Sequence, residues 1–191
     1  MSGGPNFPSG DSNVFWGEIA PCEHIAQFYA DDGVLLDSLT GFIGGGLKAD
    51  EATIVIATAD HLRILEQRLC DSGIDVAAAR SRHQYIDMLA NEALLKFMVN
   101  GWPDDQLFNN FVTETISLAR KHNQRVRAFG EMVAILWARG DSAATVRLEF
   151  LWQQLCRAQD FSLFCAYPKA GLTDDPSNSL AKICAAHSRI V

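Results

Sequence analysis

The chain has 191 residues, 48% hydrophobic and 20% charged, which are values of an ordinary globular domain whose core needs no disulfide or metal staple. Sixteen Lys and Arg against 23 Asp and Glu give a net charge of −7, which argues against a broad phosphate-binding surface and against binding to anionic lipid. No apolar run reaches the roughly 18 residues that a membrane helix needs.

Residues 1–20 open with MSGGPNFPSG, without the basic and apolar regions of a secretory signal, and are expected to form a flexible leader. The five cysteines, at 22, 70, 156, 165 and 184, are odd in number, irregularly spaced and free of any C-x-x-C pair. A disulfide framework is therefore not expected, and the cytoplasm is the expected compartment. Cys156 and Cys165 read as small core residues.

The run HIAQFY, His24 to Tyr29, predicts a first strand. Asp31 and Asp32 then offer an N-cap to a helix with Leu35, Leu39, Phe42, Ile43 and Leu47 at helical spacing, and Gly44 to Gly46 fall near its end. TIVIAT, Thr53 to Thr58, reads as a strand buried on both faces, and Asp60 as the cap of a helix carrying Leu62, Leu65 and Leu69, closed by Ser72-Gly73. A weaker strand near Gln84–Met88 precedes a helix with Leu94, Leu95 and Met98.

Gly101-Trp102-Pro103 predicts a turn, after which Asp104 or Asp105 starts a long helix with Phe108, Phe111, Val112, Ile116 and Ala119 inward. Arg125 to Phe129 reads as a strand, Glu131 to Ala138 as a helix, and Asp141-Ser142 as the cap of a helix with Val146, Phe150, Trp152 and Leu155. FSLFCAY, Phe161 to Tyr167, reads as the last central strand, followed by a polar loop over 172–179 and a short C-terminal helix. Alternating strands and helices predict an α/β fold of three layers, with a mostly parallel central sheet flanked by helices. In such sheets ligands bind outside the carboxyl ends of the strands, here Tyr29–Asp32, Thr58–Asp60, Met88, Gly130–Glu131 and Tyr167–Lys169.

HIAQFY followed by Asp31-Asp32, then Phe42-Ile43, the glycines and Leu47, then IVIAT, VRAFGEMVAILWARG, LEFLW and SLFCAYP resemble, in that order, the MEDS domain. This sensory module takes its name from methanogens, methylotrophs and a dichloromethane-responsive regulator. The resemblance runs over roughly residues 23–168 and sets 21–170 apart as a MEDS-like sensory domain, with 171–191 as a loop and C-terminal helix. It implies a RecA/KaiC-like fold and a role in sensing small organic ligands. The residues depart from an ATPase, because a phosphate-binding loop needs G-x-x-x-x-G-K-[ST], whereas Tyr29-Ala30-Asp31-Asp32-Gly33 follows the first strand. Two carboxylates stand where phosphate charge would sit, no Lys follows, and the phosphate loop reads as lost.

Glu131 follows a buried strand at a helix start and reads either as a ligand acceptor or as a first-turn cap. Tyr29, with an apolar ring and a hydroxyl, suits a small organic ligand, while Phe28 reads as core. Asp31, Thr58, Met132, Trp137 and Tyr167 complete the candidate pocket, together with His24; for Met132 and Trp137 a core position, and for His24 a capping or core-edge role, is the simpler reading. His61 reads as a solvated helix residue. Cys22-x-His24 and Cys184-x-x-His187 offer four zinc-type ligands if the termini meet, but neither half has the usual spacing, and no metal is assigned.

No nucleophile elbow, H-E-x-x-H or Cys/His dyad stands out, so neither catalysis nor a cofactor is expected. The expected function is a sensory domain that binds a small organic molecule and acts on a signalling partner in trans, a kinase or transcription regulator, without contacting nucleic acid or membrane. A homodimer is compatible with that reading. The alternatives are a protein-interaction module of the anti-sigma or kinase-partner type and a nucleotide binder without hydrolysis.

Overall fold

The computed structural model describes residues 16, 19–20, 22–122, 125–170 and 178–191. Residues 1–15, 17 and 18 of the expected leader, and 172–177 of the expected loop, lie outside the described residues. Six parallel strands form the central sheet: β1 (His24–Tyr29), β2 (Ala52–Ala57), β3 (Tyr85–Leu89), β6 (Val126–Gly130), β7 (Ser162–Pro168) and β8 (Arg189–Ile190), in the order β3-β2-β6-β7-β1-β8. A two-stranded antiparallel hairpin, β4 (Met98–Val99) with β5 (Trp102–Pro103), stands apart from the sheet. Every residue of β1, β2 and β6 is buried, which is why their sequences are continuous apolar runs rather than alternations.

The helices divide by the direction in which the chain crosses the sheet. From β1 the chain passes through α1 (Asp32–Lys48) to β2, then through α2 (Ala59–Asp71) and α3 (Val76–Ser81) to the β3 edge. It then reverses. α4 (Ala90–Phe97) and α5 (Asp105–Ala119) lead to β6, α6 (Met132–Ala138) and α7 (Ser142–Gln159) to β7, and α8 (Ser179–Ala186) to β8. Right-handed crossovers running in opposite directions put their helices on opposite faces. One core layer accordingly joins α1, α2 and α3 to Ile25, Tyr29, Val55, Phe129 and Phe164. The other joins α4 to α8 to Phe28, Ile54, Ala128, Leu163 and Tyr167. The expected three-layer α/β fold is the one observed.

Local chemistry sets the element ends. Asp31 caps α1 by accepting from the Val34 N–H at 3.1 Å, and Asp104 caps α5 by accepting from Leu107 at 2.9 Å. Thr58, not Asp60, caps α2: its hydroxyl accepts from the His61 N–H at 3.4 Å. Glycine does not end α1, which continues to Lys48. Gly46 instead makes room for Arg127, whose Cδ would lie 2.9 Å from a β-carbon there. Arg127 is buried in β6 and binds the Glu51 carboxylate and the carbonyls of Trp16 (2.6 Å) and Phe42 (3.2 Å).

Some elements differ from expectation. α3, the strand nature of the hairpin and β8 are additions, and each is short. Leu95 and Phe150 point to solvent, 81% and 44% exposed, although the rest of their helices' apolar residues largely face the core.

Candidate functional site

The chain after β2 enters α2 on one face, and the chain after the neighbouring β6 enters α6 on the other. The carboxyl ends of these two strands therefore diverge into a crevice, the usual ligand position in an open parallel sheet. Register brings the crevice walls together, with Ile56 beside Gly130 and the Glu131 N–H donating to the Ile56 carbonyl at 2.8 Å.

Glu131 occupies the N-cap position of α6, yet its side chain makes no capping bond there. It reaches across the crevice instead: one carboxylate oxygen accepts from the Thr58 backbone N–H at 2.8 Å and the other meets His61 Nδ1 at 2.9 Å. The acid thus serves the N-terminus of α2, where the helix dipole and unpaired N–H groups favour negative charge. The other ring nitrogen of His61 lies 3.7 Å from Asp32 in the first turn of α1. His61 is buried, not solvated, and stands between two acids. The hydrogen bond to Glu131, reinforced by the charges of Glu131 and Asp32 against the cost of burial, raises the His61 pKa above its ordinary value. Tyr29 ends β1 on the same face; burial first, then the Glu131 and Asp32 charges, pushes its hydroxyl pKa up. The result is a buried histidine–carboxylate pair flanked by an exposed acid and a tyrosine, an arrangement suited to hydrogen-bonding a polar group of a ligand.

The structure brings Tyr29, Asp31, Thr58 and Glu131 to the carboxyl edge, with Asp31 engaged as the α1 cap. Met132, Trp137 and Tyr167 are instead buried in the core layer beneath α6 and α7. Tyr167 donates its hydroxyl hydrogen bond to Glu149 and stacks on Phe28 at 5.6 Å. His24 stands at the opposite end of β1 from Tyr29, where its ring meets Glu149 at 3.3 Å and Cys165 at 3.5 Å. His24 and His187 do come together, with ring centroids 3.9 Å apart. Cys22 does not join them, because its thiol bonds Asp160 at 3.1 Å.

Sequence reasoning missed His61, Glu149 and the polar contacts of Cys165. The signals were present. His61 stands four residues before Leu65 and eight before Leu69, the buried residues of α2. Glu149 lies in the same buried stripe of α7 as Thr145, Leu148, Trp152 and Cys156.

An apolar cleft lined by Ile54, Ile56, Phe111, Val112, Ile116 and Trp152 lies under α5, away from the Glu131 crevice. Its volume of about 10 Å³ is on the order of one water-sized sphere, far below the roughly 300–1,000 Å³ of ordinary small-molecule sites. At the start of α1, where a nucleotide-binding fold would hold phosphate, stand the carboxylates of Asp31 and Asp32.

An α/β sandwich with an ionisable cluster at its strand ends is a fold shared by many functions, and comparison with known families narrows them. The model of the MEDS family, the methanogen/methylotroph, DcmR sensory domain, matches residues 23–188. The chain belongs to that family of sensory domains. No curated protein matches it. Among the described residues no helix is long and apolar enough to cross a membrane.

Proposed function

We propose that this sensory domain binds a small organic molecule bearing a hydrogen-bonding group at the carboxyl edge of its sheet, and regulates a signalling protein in trans. The observation that carries this reading is the buried Glu131–His61 pair at the divergence of β2 and β6. Structural stability alone does not call for an ion pair at that place, whereas a recognition site gains a donor and acceptor held in fixed orientation. Tyr29 and Asp32 supply the adaptable rim. The role is binding rather than catalysis: the Cys165–His24 contact, the nearest thing to a nucleophile–base pair, is sealed from solvent.

A thermal-shift screen against short alcohols, acids, halocarbons and hydrocarbons tests this reading. A compound that stabilises the wild type, but not Tyr29→Phe or Asp32→Asn, supports it. Equal shifts in all three proteins, or none in the wild type, contradict it. A second reading, a protein-interaction module, is favoured by the exposed apolar side chains around the β4–β5 hairpin: Leu95, Val99, Trp102 and Leu107. Exposed apolar side chains gathered on neighbouring elements can mark a contact site. Loss of partner binding in Trp102→Ala with organic ligands inert would favour that module.

A further inference from the structure

Beneath the sheet, remote from the Glu131 crevice, four metal-ligating side chains of three chemical kinds converge. They are His24 from the start of β1, Glu149 from α7, Cys165 from β7 and His187 just after α8. One donor atom from each lies within 4.8 Å of every other. The closest approaches are His24 Nε2 to Glu149 Oε2 at 3.3 Å, His24 Nε2 to Cys165 Sγ at 3.5 Å and Cys165 Sγ to Glu149 Oε2 at 3.8 Å, while His187 Nε2 lies 3.5 Å from the other carboxylate oxygen, Oε1. Bonds of about 2.0–2.1 Å from zinc to nitrogen or oxygen and about 2.3 Å to sulfur, set at tetrahedral angles, separate donor atoms by about 3.3–3.7 Å. The spacing agrees.

Ring orientation gives a second, independent argument. His24 Nδ1–H donates to the Ala186 carbonyl at 3.1 Å, and His187 Nδ1–H donates to the Ile183 carbonyl at 2.6 Å. A carbonyl can only accept, so both δ nitrogens carry protons and a neutral ring presents the lone pair of Nε2. Both lone pairs then face the Glu149 carboxylate. His187 Nε2 has no hydrogen-bond partner, although its side chain is wholly buried. Acceptors facing an acceptor in a buried space repel unless a proton or a metal cation sits between them. Backbone carbonyls holding the distal N–H of each ring are also the usual outer shell of metal-bound histidine.

We propose that His24, Glu149, Cys165 and His187 form a zinc site that clamps the C-terminal segment, α8 and β8, to the sheet. Two nitrogens, one sulfur and one oxygen make a borderline-soft set suited to zinc. Four protein donors complete a tetrahedron with no open position, so the site is structural. Cys165 releases its thiol proton to solvent on binding. The thiolate and the Glu149 carboxylate then offset the 2+ charge, and the buried centre is neutral. Tyr167 holds one Glu149 oxygen by hydrogen bond and leaves the other for the metal. The donor set differs from the cysteine-rich one that sequence spacing offered, since Cys22 is turned to Asp160.

The full chain, purified without chelator from zinc-supplemented minimal medium and analysed by plasma mass spectrometry, is expected to carry about one zinc per chain. Cys165→Ser and His187→Ala are expected to lose it, while Cys22→Ser and Cys184→Ser keep it. Tyr167→Phe removes no donor and should weaken zinc binding about 10- to 100-fold. Cobalt(II) added to chelator-treated wild type should give the visible bands of a tetrahedral site with a thiolate charge-transfer band. This measurement decides the matter even where a variant fails to fold. A metal-free wild type that zinc does not stabilise, zinc retained undiminished in Cys165→Ser and His187→Ala, or a cobalt spectrum without the thiolate band would each overturn the proposal.

Discussion

Two ionisable side chains, Glu131 and His61, carry the reading of the carboxyl edge. Glu131→Ala leaves the Thr58 N–H and the His61 ring without their acceptor, and is expected to cost about 2–3 kcal/mol of stability in urea unfolding. Glu131→Gln keeps one acceptor oxygen and should cost less. The pH dependence follows from His61. Its pKa is raised in the folded state, so the protonated ring favours folding, and the stabilisation is complete below the ordinary value of 6.5. It is lost as pH rises through the folded-state value. Melting temperatures measured from below pH 6.5 upward should fall more steeply in the wild type than in His61→Gln; parallel curves would remove His61 from the account. The residue was hidden in the sequence by its neighbours. Asp60 and Arg63 are solvated and made the first turn of α2 look polar, although the spacing from His61 to Leu65 and Leu69 marks the inner face.

Among the elements, α1 and β6 are joined by a buried charge. Arg127 stacks over the Phe42 ring at 5.6 Å and is paired with Glu51, itself little exposed. Removing one member of a buried pair leaves the other uncompensated, so Glu51→Ala should destabilise by about 3–5 kcal/mol. Gly46→Ala should also destabilise, by about 1–3 kcal/mol, because a β-carbon there meets Arg127 and Thr53 side chains whose positions are fixed. Both are read from denaturant midpoints, and an unchanged midpoint contradicts the assignment. Elements with long apolar runs, β1, β2 and β7, were legible because burial on both faces leaves no alternation to misread. α3, β8 and the hairpin were not, because a few residues carry no periodicity. β8 is held by distant chain, pairing with β1 through Ile25 and Ala26.

At the scale of the molecule, the two ends of the family-matched segment meet at one place. The Ser188 hydroxyl accepts from the His24 N–H at 2.8 Å and donates to the His24 carbonyl at 3.0 Å, while the Ser188 N–H donates to that same carbonyl at 2.8 Å. Ser188→Ala should therefore speed proteolysis within 178–191 while leaving the rest of the domain protected; uniform protection would show that the clamp lies elsewhere. The order of strands was not legible, since sequence alternation fixes layers but not which strand lies beside which. Nor was the separation of the carboxyl-edge cluster from the Glu149 cluster. His24 and Tyr29 bound the same strand, and only the placement of β7 and α7 assigns His24 to the second cluster.

The most direct test of the sensory reading is amide and side-chain NMR on the full chain, titrated with the organic compound that gives the largest thermal shift. Binding at the carboxyl edge predicts concentration-dependent shifts at Tyr29, Thr58, His61 and Glu131, with Cys165 and His187 unmoved. Shifts confined to Leu95, Val99 and Trp102 at the hairpin, or to the apolar cleft under α5, would contradict it.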